Sequence, residues 1–132
     1  MKKIIVLLSA LTFAIAPSLV KAQDVLSGGE VIQSASFVGE NGHTVSGGVQ
    51  IIKQGDIHYL VLQPDFQFDG APDPKLGFSK DGQLNEDDLF SGLNLDEGQQ
   101  IYRLPVDIDL TAFDEVTIWC DKFNVSLAEA KY

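Results

Sequence analysis

From Val31 onward, the apolar residues of this chain recur with a period of two rather than 3.6. Val116 and Ile118, for example, flank the polar Thr117. This alternation is typical of β-strands, whose successive side chains point to opposite faces. The run 57–62 is apolar on both faces, and no segment after position 22 carries a long amphipathic helical pattern. The pattern therefore predicts an all-β domain.

Turn-forming residues separate the strand patterns at regular intervals. They lie at 39–42, 54–56, 69–74, 80–82 and 96–98, and they are rich in Gly, Asn, Asp and Pro. These residues favour tight turns because they adopt the backbone angles that turns require. Short strands with such punctuation predict an antiparallel β-sandwich or a barrel-like domain. The acidic stretch 85–88 is expected to form at most one helical turn.

Near the end of the chain, the apolar pattern shifts from even to odd positions. The residues concerned are Val116, Ile118 and Cys120, then Phe123, Val125 and Leu127. A β-bulge at 121–122 would produce this slip, and so would the end of a strand. Because Cys120 is in phase with two aliphatic residues, we expect it to face the core.

The first 22 residues have the character of a cleavable secretory signal. Two lysines precede the apolar run 4–16, and Val20 and Ala22 occupy the positions that a signal peptidase reads. The run is shorter than the ~20 residues needed to span a bilayer. We therefore expect a signal peptide at 1–22 and one domain at 23–132, exported to the periplasm or secreted, without stable membrane insertion after cleavage.

Charge narrows the choice of partners. Without residues 1–22, the chain has six basic and 19 acidic residues, a net charge of −13. Such a surface repels phosphate backbones and anionic lipids, which argues against nucleic-acid and membrane partners. Solubility explains the acidity, with affinity for cations as the alternative.

Six segments, taken in order, resemble the DM-thirteen domain family, often labelled an electron-transfer module. They are 36–37, 43–49, 62–66, 70–74, 98–105 and 116–125. The most specific is the last, with Ile118-Trp119-Cys120 followed by Phe123 and Val125. The resemblance implies a β-domain outside the cytoplasm, here as a stand-alone exported protein. The chain departs from the family where Ala71 stands between Gly70 and Pro72.

The resemblance also implies a redox role for Cys120, which matches the family's characteristic cysteine, as a free thiol or as a ligand of a prosthetic group. Cys120 is the only cysteine, so no intrachain disulfide can form. A redox role then requires a partner protein, a sulfenic acid intermediate or a metal. The acidic neighbours Glu115 and Asp121 disfavour the thiolate, and a buried cysteine is usually inert. A structural role for Cys120 therefore stays open.

No cofactor is assigned by the sequence. His43, His58 and Cys120 resemble a copper–thiolate set by residue type, yet the only methionine is Met1. His43, in a glycine-flanked turn, is the better second ligand. Covalent haem is excluded because no Cys-x-x-Cys-His motif is present. Haem or a metal bound through Cys120 is left as an alternative, and no metal site is predicted with named ligands.

Three functions remain, and none requires an enzyme, since no complete catalytic constellation is present. The leading hypothesis is an accessory redox or electron-transfer domain that acts through Cys120, with His43 nearby and a protein redox partner. The alternative is a non-catalytic binding or envelope-interaction domain whose cysteine is part of the core. A weaker third is a secreted metal-binding protein.

We expect the exported protein to begin at Gln23, because cleavage after Ala22 fits the signal pattern. The intact mass of protein purified from the extracytoplasmic fraction checks this. Ala22→Phe should block cleavage, whereas Ala16→Phe, which keeps the run apolar, should not. A wild-type mass that still includes residues 1–22 would contradict the prediction.

Overall fold

The structure, a computed structural model, describes residues 26–132, so the predicted signal peptide and its cleavage site lie outside the described residues. The strands are β1 (Glu30–Gly39), β2 (Val45–Ser46), β3 (Gly48–Gln54), β4 (Ile57–Leu62), β5 (Gln67–Phe68), β6 (Pro74–Ser79), β7 (Leu89–Gly92), β8 (Gln100–Arg103), β9 (Glu115–Cys120) and β10 (Val125–Lys131). Single 3₁₀ turns lie at Glu86–Asp88, as the acidic stretch predicts, and at Leu110–Ala112. Within residues 26–132, no helix has the length and apolar character needed to cross a membrane.

Eight of these strands form one antiparallel sheet that curves into a nearly closed barrel. Its order is β7-β6-β9-β10-β1-β3-β4-β8, and β2 pairs with β5 in a separate small sheet. Side chains bridge the gap between the edges, since Asn94 N donates to Tyr102 Oη at 3.0 Å and Gln100 Nε2 donates to Leu95 O at 2.9 Å. The prediction of an all-β domain is confirmed, in its barrel-like form.

The barrel interior is the main core. Its fully buried members come from most strands of the sheet and include Ile51, Leu60, Leu76, Phe78, Ile118 and Leu127. A second, smaller cluster of Leu26, Ile52 and Val61 lies on the other face of β3 and β4. This second cluster explains why the run 57–62 is apolar on both faces.

The shift in phase near the end of the chain has two physical causes. Strand β9 ends at Cys120, and a turn at 121–124 leads into β10. A bulge then follows in β10, because Ser126 pairs with Trp119 whereas Ala128 pairs with Ile118. The strand end is therefore confirmed, and the bulge lies at 126–128 rather than at 121–122. Phe123 is in the turn and is 65% exposed, so it does not share the buried face.

An aromatic stack fastens the edge of the sheet. Phe78 on β6 is fully buried, with its ring centroid 5.4 Å from that of Phe90 and 5.5 Å from that of Phe113. Phe90 belongs to β7, and Phe113 follows the second 3₁₀ turn. One side chain thus connects the edge strand and a connecting segment to the core.

We expect Phe78→Ala to lower the free energy of unfolding by roughly 3–5 kcal/mol, because it removes buried contacts and leaves a cavity. Phe123→Ala is the matched control, and its effect should stay within about 0.5 kcal/mol since Phe123 is exposed. Urea unfolding followed by tryptophan fluorescence measures both. Equal effects of the two substitutions would contradict the described packing.

Candidate functional site

Cys120 ends β9 and faces the barrel interior, as its phase predicts. It pairs with Pro74 of β6 on one side and with Val125 of β10 on the other. Its side chain is a free thiol with 1% of its surface exposed, and it belongs to the main core cluster. The thiol is therefore shielded from solvent, both by the core and by the segment that lies over the end of these three strands.

A surface loop at 69–73 lies against this thiol. Cys120 Sγ donates a hydrogen bond to the carbonyl oxygen of Pro72 at 3.1 Å, and Asp121 N donates to Asp73 O at 3.2 Å. Pro72 and Asp73 are both exposed, and Asp73 has a φ of 47°, in the left-handed region. Aspartate tolerates this conformation better than most residues do. The end of β9 thus holds the loop through one side-chain and one backbone contact.

His43 holds the other end of the same loop. Its Nδ1 lies 2.9 Å from Asp69 Oδ1, and Thr44 N donates to Asp69 Oδ2 at 2.9 Å. The hydrogen bond from Thr44, followed by that from His43, lowers the pKa of Asp69 below its ordinary value. The turn before His43 is of type I′, because Asn41 and Gly42 have φ values of 51° and 83°.

Cys120 and His43 therefore act on one loop but hold different residues of it. Pro72 and Asp69 are three residues apart, which bounds their Cα separation at about 11 Å. Within residues 26–132, no hydrogen bond joins His43 to Cys120, and His43 contacts Asp69 instead. His58, the third residue of the copper-like set, pairs with Lys53 in the β3–β4 ladder.

The surroundings of Cys120 do not fit a haem or a resident metal ion. Its Sγ donates to a backbone carbonyl, and its other neighbours are core side chains. Across the described part of the chain, no three His, Cys, Asp or Glu side chains are grouped so that they could hold a metal ion. We derive no chemical step through a prosthetic group.

A cleft of about 730 Å³ opens beside the His43 end of the loop. Its walls are formed by Thr44, Ser46, Gln67, Phe68, Asp69, Leu95, Asp96 and Glu97. Its three carboxylates, together with apolar surface that includes Phe68 and Leu95, make it suited to a cationic group. The sequence marks Asp69, Asp96 and Glu97 only as turn residues, so the cleft could not be anticipated. Phe68 N bonds to Asp96 O at 2.8 Å, and this non-local contact brings the turns together.

The chemistry available at Cys120 depends on the loop. A thiol reacts as the thiolate and must be reached by its partner, so a buried thiol is inert while it stays covered. Exposed loops with few fastening contacts open locally at less cost than the whole fold. Here the contacts at the two loop ends are those of Asp69, Pro72 and Asp73.

Comparison with known proteins identifies a sequence family. The sequence profile of electron transfer DM13 matches residues 36–132, a span that begins within β1, ends past β10, and contains both His43 and Cys120. No curated protein sequence and no solved structure matches the chain. Since the match covers most of the chain and confirms the resemblance, this chain belongs to the electron transfer DM13 family.

Proposed function

We propose that this domain is an accessory redox module in an electron-transfer system outside the cytoplasm, with Cys120 as its reacting residue. The observation that carries the proposal is the placement of the chain's only cysteine. Its Sγ lies directly beneath an exposed loop, with a bond to Pro72 O, inside the region matched by the electron transfer family. Movement of this one loop would suffice to uncover the sulfur.

Opening of the 69–73 loop is the gating step of the proposal. It requires the loss of the Cys120–Pro72 bond, of the backbone bond from Asp121 to Asp73 and of the packing of Ala71 against the core. The rest of the barrel need not unfold, since Cys120 keeps its backbone pairing with β6 and β10.

The proposed partner is a protein that carries a reactive disulfide. Cys120 loses its proton to solvent, and the thiolate attacks one sulfur of the partner's disulfide. A new S–S bond forms between Cys120 and that sulfur, while the old S–S bond breaks. The partner's second sulfur leaves with the bonding electron pair as a thiolate, which takes up a proton. Cys120 is thereby oxidised to a mixed disulfide, and a second thiol attacking this bond returns it to the thiol.

The proposal includes the compartment in which the domain acts and the charge of the partner that it binds. Residues 1–22 carry the features of a cleavable signal, and an oxidising compartment allows such a mixed disulfide to persist. With a net charge of −13 after cleavage, the domain favours a partner whose docking face is basic. Opposite charges would speed the encounter, and salt would slow it.

A second function, that of a non-catalytic binding module, is supported by a different observation. Cys120 is packed in the main core, and the acidic cleft at Asp69, Asp96 and Glu97 lies on the surface. In that case the cleft would take a cationic side chain of a partner, and Cys120 would contribute only packing. The accessibility of the thiol separates the two functions.

We expect Cys120 in the native protein to react with a thiol reagent faster than the protein unfolds globally, because opening of one loop is enough to expose it. Stopped-flow labelling in water, set against the unfolding rate extrapolated from urea, tests this. Cys120→Ser, whose hydroxyl can still donate to Pro72 O, should keep the fold and abolish the mixed disulfide. Labelling that is no faster than global unfolding would favour the binding module.

We expect His43→Ala to increase the native labelling rate of Cys120 several-fold. The substitution removes one of the contacts to Asp69 and so loosens the far end of the loop that covers the thiol, where the two bonds between Thr44 and Asp69 remain. His58→Ala is the matched control, since His58 lies on β4 and bonds to no residue of this loop. Global stability, measured in urea, should change little in either variant. Equal labelling rates in His43→Ala and His58→Ala would mean that His43 does not restrain the loop.

A further inference from the structure

A group of carboxyl side chains lies on the outer face of the barrel, around the turn at 80–83. This type I′ turn presents two backbone donors to the start of β9. Asp81 N donates to Asp114 Oδ1 at 3.1 Å, and Gly82 N donates to Glu115 Oε1 at 2.7 Å. Backbone N–H donors stabilise the charged form of a carboxylate. The turn thus supplies one backbone donor to each of these two carboxyl groups.

Glu115 is buried, and only half of its carboxylate is satisfied. The side chain has 0% of its surface exposed, and Oε2 has no hydrogen-bond partner among the described residues. A buried carboxylate oxygen without a donor is costly, because it has lost its water and gained nothing in return. A donor to Glu115 Oε2 is therefore the missing element of this contact.

The neighbour of Glu115 is another carboxyl group. Glu129, half-buried on β10, pairs with Thr117, so its side chain lies on the same face of the sheet as that of Glu115, two residues away on β9. Its Oε1 also lies beside the turn, 3.8 Å from where a Cβ at Gly82 would stand. Two ionised carboxylates have only acceptors, so a hydrogen bond between them requires that one of them carries a proton.

The charged groups nearby do not supply the missing donor. Lys80 Nζ lies 3.7 Å from Asp114 Oδ2, and Lys131 also acts on Asp114. Neither lysine forms an ion pair with Glu115 or Glu129 within residues 26–132, and no group in that range is arranged to hold a metal ion.

The groups that face Glu129 from the packed elements are acidic. Glu40, after β1, and Glu115, on β9, both act on its carboxyl group. Asp81 belongs to the turn that lies beside it. The charges of Glu40 and Glu115 favour the protonated form of Glu129.

We propose that Glu129 retains its proton at neutral pH and donates it to Glu115 Oε2, so that this carboxyl pair fastens the 80–83 turn to β9 and β10 and releases it in alkaline solution. The pair is a pH-sensitive contact built into the barrel wall. It does not involve Cys120, so it stands or falls independently of the redox role.

The electrostatics of the site agree with this assignment. Burial, the hydrogen bond with Glu115 and the charges of Glu40 and Glu115 raise the pKa of Glu129 to about 8. Burial raises the pKa of Asp114, but the bond from Asp81 N and the charges of Lys80 and Lys131 outweigh it, so this pKa is lowered. The proton therefore belongs on Glu129.

The sign of the pH effect follows from linkage. The ordinary pKa of a glutamate is 4.5, so between this value and about pH 8 the folded state holds a proton that the unfolded state has lost. Stability from the pair is complete below about pH 4.5, decreases as pH rises, and is gone above about pH 8. Asp69 and Asp114, with lowered pKa values, act in the opposite sense and only in acid.

We test the pair by urea unfolding of the wild type, Glu129→Gln and Glu30→Gln at about pH 5, 7 and 9. The amide introduced by Glu129→Gln is neutral at every pH and can donate to Glu115 Oε2. Between pH 4.5 and about pH 8, we expect the folding equilibrium constant of the wild type to fall relative to that of Glu129→Gln by up to tenfold per pH unit. Glu30→Gln, an exposed control on β1, should follow the wild type. Parallel pH profiles for wild type and Glu129→Gln would overturn the proposal.

A second measurement keeps the test independent of how well the variants fold. In a carboxyl-carbon NMR titration of the wild type, one glutamate should titrate near pH 8, and its signal should be missing from Glu129→Gln. Titration of every glutamate below about pH 6 would overturn the proposal.

The unfolding midpoint at about pH 9 should also be the same in calcium chloride and in a chelator. A midpoint raised by calcium would mean that a cation, not a proton, sits between the carboxyl groups.

Discussion

Strand β9 pairs with β6 on one side and with β10 on the other, and the placement of Cys120 and Glu115 depends on this double pairing. Inward residues of β9 fill the core and end at Cys120, beneath the 69–73 loop that leads into β6. Outward residues begin at Glu115, beside Glu129 of β10. A one-residue slip of β9 would exchange the two faces, exposing the thiol and driving the carboxylate into the core.

The two ends of β9 thus differ in chemistry although they belong to one rigid element. At the Cys120 end, the covering loop is short and has exposed residues at Asp69, Pro72 and Asp73, and the proposed redox role depends on its local opening. At the Glu115 end, the contacts are buried and charge-assisted, and they are sensitive to protons instead. Each end is in contact with a connecting segment: the Cys120 end with the 69–73 loop, and the Glu115 end with the 80–83 turn.

Local pattern was enough to predict the fold class and the burial of Cys120, because alternation with a period of two reports which face of a strand is apolar. It could not predict the order of strands in the barrel, because β1 pairs with β10, far apart in sequence, and the edges at β7 and β8 are joined by side-chain contacts. The position predicted for the bulge, 121–122, was wrong. The bulge lies at 126–128, where Leu127 and Ala128 are both apolar, so the pattern does not show which residue is the extra one. Two contacts join positions that are distant in sequence, so local spacing could not predict them. They are the contact between His43 and Asp69 and that between Glu115 and Glu129.

The pairing of β1 with β10 has a consequence for the order in which the chain can fold. Strand β1 lies between β3 and β10, so one of its edges stays bare until residues 125–131 are present. Non-local pairings of this kind slow folding, because the chain loses the entropy of closing a long loop before the stabilising contacts form. During synthesis the barrel wall remains open until β10 has emerged. Until then the chain has no closed core, and the edge of β1 that β10 later covers can pair with another strand.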